Sequence, residues 1–147
     1  MKSSIFTSFI LCLSISIASG THLTNPWDLS KISIGDIHEL EDVLFDMDQT
    51  DFKHGSEALA SLLEFLLENK DVKVELRGHT NSIPPNEYCN ELSEKRAQKV
   101  KVYLIDQGVN PDNLVAKGYG KRVPKSSNQN SSGRTSNQRV DVRVLSL

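Results

Sequence analysis

Cysteine is scarce in this sequence, with two among 147 residues. Cys12 lies in an apolar segment near the amino terminus, and Cys89 is the one cysteine that follows it. A single thiol cannot form an internal disulfide, so the chain beyond that segment must be stabilised by packing alone.

A long apolar run and a large excess of one charge are also missing. The sequence has 17 basic and 19 acidic residues, a formal net charge of −2, and no run of about 18 apolar residues. These features exclude a strongly basic nucleic-acid-binding surface and an ordinary membrane span after signal cleavage. The near-average composition, 37% hydrophobic and 24% charged, indicates a folded chain, and the length fits one domain.

The first twenty residues have the composition of a secretory signal peptide. Lys2 is followed by an apolar run over residues 5–17 and by small residues at 18–20. We expect cleavage near residue 20 and no lipid, because Cys12 lies inside the apolar run; a retained anchor is the alternative. Residues 21–33 lack periodicity and predict a flexible, exposed leader, whereas residues 34–147 form the domain.

Periodicity and capping residues predict four strands and two helices. Apolar residues recur at helical spacing between an N-cap at Ser56 and a C-cap at Asn69, and a second helix runs from a cap at Asn86 to Gln107, before Gly108. Alternation of apolar and charged residues predicts half-exposed strands. The predicted strands span 40–45, 72–78, 114–118 and 139–145, and a polar loop spans 126–133.

This order, β-α-β-α-β-β, predicts an α/β (α+β) two-layer sandwich with helices packed on one face of a mixed four-stranded sheet. One side chain does not fit the packing. In the second helix, Arg96 shares an otherwise apolar stripe with Cys89, Leu92, Val100 and Leu104. An arginine at such a position indicates a role beyond the core.

Four motifs follow one another at compatible spacings. They are Gly-His-Thr-Asn at 78–81, Leu-Ser-Glu-Lys-Arg-Ala at 92–97, Gly-Tyr-Gly at 118–120 and Gly-Arg-Thr-Ser-Asn-Gln-Arg-Val at 133–140. With them the chain resembles the OmpA C-terminal-like family, whose domain recurs in Pal lipoproteins and MotB-type stator proteins. The resemblance covers nearly all of residues 37–145.

The resemblance implies non-covalent binding of peptidoglycan through the diaminopimelate of its stem peptide. In the family, an aspartate after Gly-His-Thr and the arginine of the helix motif bind the ammonium and the carboxylate of the ligand. The matching positions are Asn81 and Arg96, and we expect Thr80 and Ser93 of the same motifs to contact the ligand as well. Since a guanidinium binds a carboxylate bidentately, we expect Arg96 to be open to solvent beside the loop that follows the second strand.

Two positions depart from the family pattern. Asn81 replaces the aspartate, and Cys89 replaces a common asparagine three residues before the Leu-Ser pair. Asparagine keeps a hydrogen-bond acceptor but has no charge, so we expect affinity to fall about tenfold. One hypothesis is that Asp46, in the acidic turn before the first helix, supplies the missing negative charge.

Each candidate also has a structural interpretation. Arg96 could pair with an internal carboxylate, Asn81 could bond the backbone of its own loop, and Cys89 could be a small buried residue. Asn137 and Arg139 resemble the last motif of the family, where they would line or support the pocket. An arginine that opens an exposed strand can equally have no specific role.

The sequence therefore predicts a non-catalytic peptidoglycan-binding domain of the Gram-negative cell envelope, in the periplasm or associated with the outer membrane. We expect no metal, because none of the four histidines has the spacing of a helical metal site. We also expect no cofactor and no nucleic-acid partner. The alternative is a periplasmic interaction module with weak or no peptidoglycan binding. Such a module would dock on an outer-membrane or periplasmic protein partner.

Overall fold

The computed structural model describes residues 26–41, 43 and 56–147. Within them the chain forms four strands and three α-helices. The strands are β1 (Ile37–Glu39), β2 (Lys73–Gly78), β3 (Leu114–Gly118) and β4 (Val140–Ser146), and the helices are α1 (Glu57–Glu68), α2 (Asn86–Asp106) and α3 (Ser131–Asn137). The predicted signal peptide and Asp46 lie outside the described residues.

The strands form one mixed sheet in the order β1-β4-β2-β3. β2 and β3 are parallel and are joined through α2, whereas β4 is antiparallel to both β1 and β2. One face of the sheet packs on the helices, where the core includes the fully buried Val74, Leu76, Val142, Leu62 and Leu104. The predicted two-layer α/β architecture is confirmed.

Both long helices lie where the periodicity predicts them. The Ser56 hydroxyl accepts a hydrogen bond from Leu59 N at 3.2 Å and so caps α1, and the Asn69 side chain donates to Phe65 O at 2.8 Å at its end. α2 begins at Asn86 itself, so the prediction of Asn86 as the cap is wrong by one residue. Within the described part of the chain, no helix is both long enough and apolar enough to span a bilayer.

The first strand lies earlier in the chain than its prediction at 40–45. β1 ends at Glu39, although Leu40 still donates a backbone hydrogen bond to Val140 O at 3.1 Å. Leu40 and Val43 are buried in the core beyond the strand end. The apolar character of these two residues therefore reflects burial in the core, and positions 42, 44 and 45 of the predicted strand lie outside the described residues.

From Val74 onward β2 is buried on both faces, so the prediction that its charged face lies in water holds for Lys73 and is wrong for the rest of the strand. Glu75 and Arg77, on the face away from the helices, are 7% and 8% exposed. The Tyr119 hydroxyl donates to Glu75 at 3.0 Å, and Arg77 forms an ion pair with Asp141 on the neighbouring strand. Because Arg77 and Asp141 neutralise each other across the sheet and Glu75 accepts a hydrogen bond, charged residues can alternate with apolar ones along β2 without being exposed.

The described part of the predicted leader, residues 26–33, packs on the domain. Trp27 is 4% exposed and stacks on Phe65 of α1 with ring centroids 5.7 Å apart. Hydrogen bonds from Ser30 and Lys31 lower the pKa of Asp28 to about 2, and they order the turn between Trp27 and the core. The prediction of an exposed segment is wrong for Trp27 and Ile32, whereas residues 26, 29–31 and 33 are exposed. A large aromatic side chain gains free energy from burial, which the irregular pattern around it does not reveal.

The third helix falls partly in the segment predicted as a polar loop. The Asn130 side chain caps α3 by accepting from Gly133 N at 2.7 Å. A Cβ at Gly133 would lie 1.9 Å from Ser127 O, so this helix packs directly on the preceding loop. Because its residues are polar, α3 shows no hydrophobic periodicity in the sequence. The one local signal for this helix is the capping residue Asn130.

Replacing Trp27 by alanine tests whether the predicted leader belongs to the domain. We expect Trp27→Ala to lower the free energy of unfolding by about 3–5 kcal/mol, because it removes a buried aromatic side chain. Leu29→Ala, two residues away at a side chain that is 47% exposed, should change it by less than about 0.5 kcal/mol. Urea denaturation measures both, and equal stabilities of the two variants would contradict the packing described here.

Candidate functional site

A cleft of about 340 Å³ opens between the loop that follows β2 and the helix α3. We call it the β2–α3 cleft. Four residues of the loop line one wall, four residues at the α3 side line the other, and one residue of α2 completes it. These residues are Thr80, Asn81, Ile83 and Pro84; Ser131, Arg134, Thr135 and Gln138; and Leu92.

Close backbone packing sets the position of this cleft. A Cβ at Gly78 would lie 2.0 Å from Ser93 O, and one at Gly118 would lie 2.6 Å from Ser93 Oγ. The Ser93 hydroxyl also accepts from Gly120 N and donates to Asn90 O, both at 2.9 Å. Ser93, a predicted ligand contact, is fully buried and holds α2 against the ends of the two parallel strands.

Asn81 and Thr80 both line the β2–α3 cleft, and ligand binding by them stays a prediction. The Asn81 side-chain oxygen accepts from Ile83 N at 3.1 Å, which is the loop-stabilising contact of its structural interpretation. Thr80 is 3% exposed, and its hydroxyl has no hydrogen-bond partner among the described residues. A buried hydroxyl without a partner costs free energy, so Thr80 is a candidate contact for a polar ligand atom.

Cys89 lies behind the loop and does not line the cleft. Its thiol is buried and contacts two backbone oxygens of the loop, those of Pro84 at 3.4 Å and Asn81 at 3.6 Å. These contacts agree with the interpretation of Cys89 as a small buried residue. Its effect on the cleft is to hold the loop against α2.

Arg96 is fully buried and is absent from the lining of the cleft. The expectation that its guanidinium is open to solvent is therefore wrong. Leu92, one helical turn earlier, lines the cleft, so Arg96 is next in line on the same side of α2 but beneath the surface. Apart from Leu92, the side chains of this stripe of α2 are fully buried. Ligand binding by Arg96 stays a prediction.

Asn137 supports the site as a fully bonded amide. Its oxygen accepts from Lys125 N at 2.7 Å and Ser126 N at 2.9 Å, and its nitrogen donates to Ser126 O and to the side chain of Asn128. Each atom of the side-chain amide is thereby used. Asn137 fixes the loop that precedes α3, and it is buried and absent from the cleft lining.

Arg139 belongs to a buried charge cluster next to the cleft. Asp141 forms ion pairs with Arg77 at 3.3 Å and Arg139 at 3.2 Å, and its other contact is His79 Nε2 at 3.0 Å. Arg77 also lies over the Tyr119 ring, 4.4 Å from its centroid. The cluster joins β2 to β4 at the end of β2 where the loop of Thr80 and Asn81 begins. Arg139 does not line the β2–α3 cleft.

The α3 wall of the cleft was not predicted from the sequence. Ser131, Arg134, Thr135 and Gln138 recur at the i, i+3, i+4 and i+7 spacing of one helical face. That periodicity is visible in the sequence, but a polar stripe gives no hydrophobic signal. Among the described residues, no group of three or more histidine, cysteine or acidic side chains could hold a metal ion.

Comparison with family models identifies the family of this chain. The model described as the OmpA family matches residues 44–138. Outer membrane porin F of Pseudomonas fluorescens is 38% identical over 104 residues, which cover 70% of this chain and 32% of that protein. Outer membrane protein A of Bordetella avium is 32% identical over 105 residues, which cover 71% and 54%. The chain thus spans about a third to a half of the length of these relatives.

A solved structure has the same fold. The peptidoglycan-associated lipoprotein of Burkholderia pseudomallei superimposes with a TM-score of 0.66 at 24% identity, over 69% of this chain and 87% of that protein. At this level of identity the likeness establishes architecture alone.

Replacing Asp141 by asparagine tests the charge cluster. We expect Asp141→Asn to lower the free energy of unfolding by about 3–5 kcal/mol, because it leaves two buried guanidinium groups without their counter-charge. Glu91→Gln is the matched control, since Glu91 pairs with Lys95 on the exposed surface of α2, and it should cost less than about 1 kcal/mol. If chemical denaturation gave similar losses for both, Asp141 would not hold the strands together.

Proposed function

Because the chain belongs to the OmpA family, we propose that it binds peptidoglycan without catalysis, in the β2–α3 cleft. The ligand is the diaminopimelate of the stem peptide. The single observation that supports the cleft as the binding site is the Thr80 hydroxyl, which is buried there without a partner among the described residues. Because this hydroxyl is closed to solvent, a ligand oxygen or ammonium would satisfy it after a small movement of the cleft wall.

The names of similar proteins support the same cell compartment and ligand. Two relatives are named as outer-membrane proteins, and a protein of the same fold is named as peptidoglycan-associated. We place this chain on the periplasmic side of the Gram-negative envelope, in the periplasm or in association with the outer membrane. Bonds to the wall would be hydrogen bonds and ion pairs, without any reaction.

Asn81 and Arg96 have different parts in this proposal. The Asn81 oxygen already accepts from Ile83 N, and its second lone pair remains for the ligand ammonium. Arg96 is buried one turn below Leu92, so a direct bond to the ligand requires the floor of the cleft to open. Without that opening, Arg96 acts on the ligand only through its charge in the interior.

A second candidate function is a docking module for an envelope protein complex. The observation that favours it is the neutral amide of Asn81, which stands where the resemblance implies an aspartate and bonds its own loop. A module of this kind would keep the fold and have weak or no affinity for the wall. Its partner would be an outer-membrane or periplasmic protein.

Co-sedimentation with purified peptidoglycan separates the two functions. We expect the wild-type protein to sediment with the wall and Asn81→Asp to bind about tenfold more tightly, because a charged acceptor bonds an ammonium more strongly than a neutral one. Gln107→Glu makes the same charge change at the exposed end of α2 and should leave the affinity unchanged. Arg96→Ala should sediment less, with thermal unfolding as the check that it remains folded.

A folded wild-type protein that stayed wholly in the supernatant would favour the docking module. The non-catalytic assignment has its own measurement, since incubation with wall material should release no soluble fragments. Release of fragments by the wild-type protein would contradict it.

A further inference from the structure

We propose that Arg134 of α3 binds a carboxylate of the stem peptide, an inference that rests on the proposed function. Among the described residues that line the β2–α3 cleft, Arg134 is the one with a charged side chain. Arg134 belongs to the motif at 133–140, but it is not among the residues to which the family resemblance assigns a role in binding. The task that the resemblance implies for Arg96 therefore falls to a guanidinium on the opposite wall.

The guanidinium of Arg134 is held in place and still has donors to offer. Its Nη1 donates to Asn128 O at 3.1 Å, and no acidic side chain of the described residues pairs with it. This bond uses one of the five N–H groups of an arginine. The planar fork can therefore bind a carboxylate bidentately, which a lysine could not do.

Other cations near the cleft are already engaged. Arg77 and Arg139 pair with Asp141, and the Lys121 ammonium donates to the backbone oxygens of Pro84 and Ser82. Each of them neutralises or stabilises protein groups. Their engagement leaves Arg134 as the guanidinium that both faces the cleft and lacks an anion.

Thr80 supplies a second donor for the same ligand group. Its hydroxyl is buried in the opposite wall of the cleft and has no partner among the described residues. A carboxylate has two oxygens and about four lone-pair sites, so it can accept from the guanidinium and from a hydroxyl at once. A bound carboxylate would thus satisfy Thr80 and neutralise Arg134 together.

Asn128 is the positioning residue for Arg134. Its side-chain oxygen accepts from Ser82 N at 3.2 Å, in the loop that follows β2, and from Asn137 Nδ2 at 2.9 Å, at the end of α3. Its backbone oxygen receives the guanidinium of Arg134. One residue therefore joins this loop to α3 and sets the direction of the cation between them.

Calorimetry with two synthetic ligands tests the inference on the folded protein. One ligand is a stem peptide that ends in diaminopimelate, and the other is the same peptide with its carboxylates converted to carboxamides. The wild-type protein should prefer the carboxylate form, and Arg134→Gln should weaken binding of that form about 10- to 100-fold while barely changing the carboxamide form. Raising the salt concentration should weaken wild-type binding more than binding by Arg134→Gln.

Three further variants complete the test. Arg122→Gln is the matched control, because Arg122 is an exposed arginine that bonds backbone oxygens of Tyr119 and Gly118 outside the cleft; it should keep the wild-type preference. Arg134→Lys should retain part of the preference. Asn128→Ala should reduce the preference for the carboxylate form, whereas a purely structural role would lower both affinities in parallel.

The outcomes separate this inference from the proposed function. Wild-type binding with an undiminished carboxylate preference in Arg134→Gln would overturn the role of Arg134, and it would leave peptidoglycan binding intact. Loss of that preference in Arg96→Lys instead, with the fold retained, would return the role to Arg96. A wild-type protein that bound neither the peptides nor purified wall would refute the proposed function itself.

Discussion

Direct backbone contact between α2 and the ends of β2 and β3 sets the position of the loop wall of the β2–α3 cleft. Gly78 and Gly118 approach Ser93 so closely that a methyl group at either position would overlap it. At that point the chain leaves β2 and enters the loop of Thr80 and Asn81. The small residues of three separate motifs therefore serve one purpose, which is to bring two strand ends and a helix to the same edge of the molecule.

Charge neutralisation inside the fold shapes the site as much as packing does. Asp141 forms ion pairs with the guanidinium groups of Arg77 and Arg139. The guanidinium of Arg77 also lies over the Tyr119 ring, and the Tyr119 hydroxyl donates a hydrogen bond to Glu75. On the face of the sheet away from the helices, Glu75, Arg77 and Asp141 are thus buried by these polar contacts, whereas other positions of that face, such as Lys73, Lys117 and Arg143, are exposed. Because Arg77 and Arg139 are used internally, the charge that remains at the cleft comes from α3, an element that packs on the loop before it.

Regular elements with an apolar face could be predicted from the sequence, and so could the family. α1 has its caps at Ser56 and Asn69, and β3 spans the predicted residues. What failed depends on contacts between distant residues: Trp27 is buried because Phe65 lies opposite it, and Glu75 because Tyr119 reaches it. The same limit applies to Arg96, since spacing puts it on a stripe of α2 but does not say whether that stripe ends at the surface.

Compared with an aspartate at the same position, the neutral amide of Asn81 changes the charge of the cleft but not its shape. An aspartate at this position could accept the same hydrogen bond from Ile83 N, so the loop does not require an asparagine. The exchange therefore leaves the wall where it is and removes one negative charge from it. Together with Arg134, the described lining of the cleft has a formal charge of one positive unit. A site of this sign attracts the carboxylate of a zwitterion more strongly than its ammonium, and a ligand would be oriented by the carboxylate.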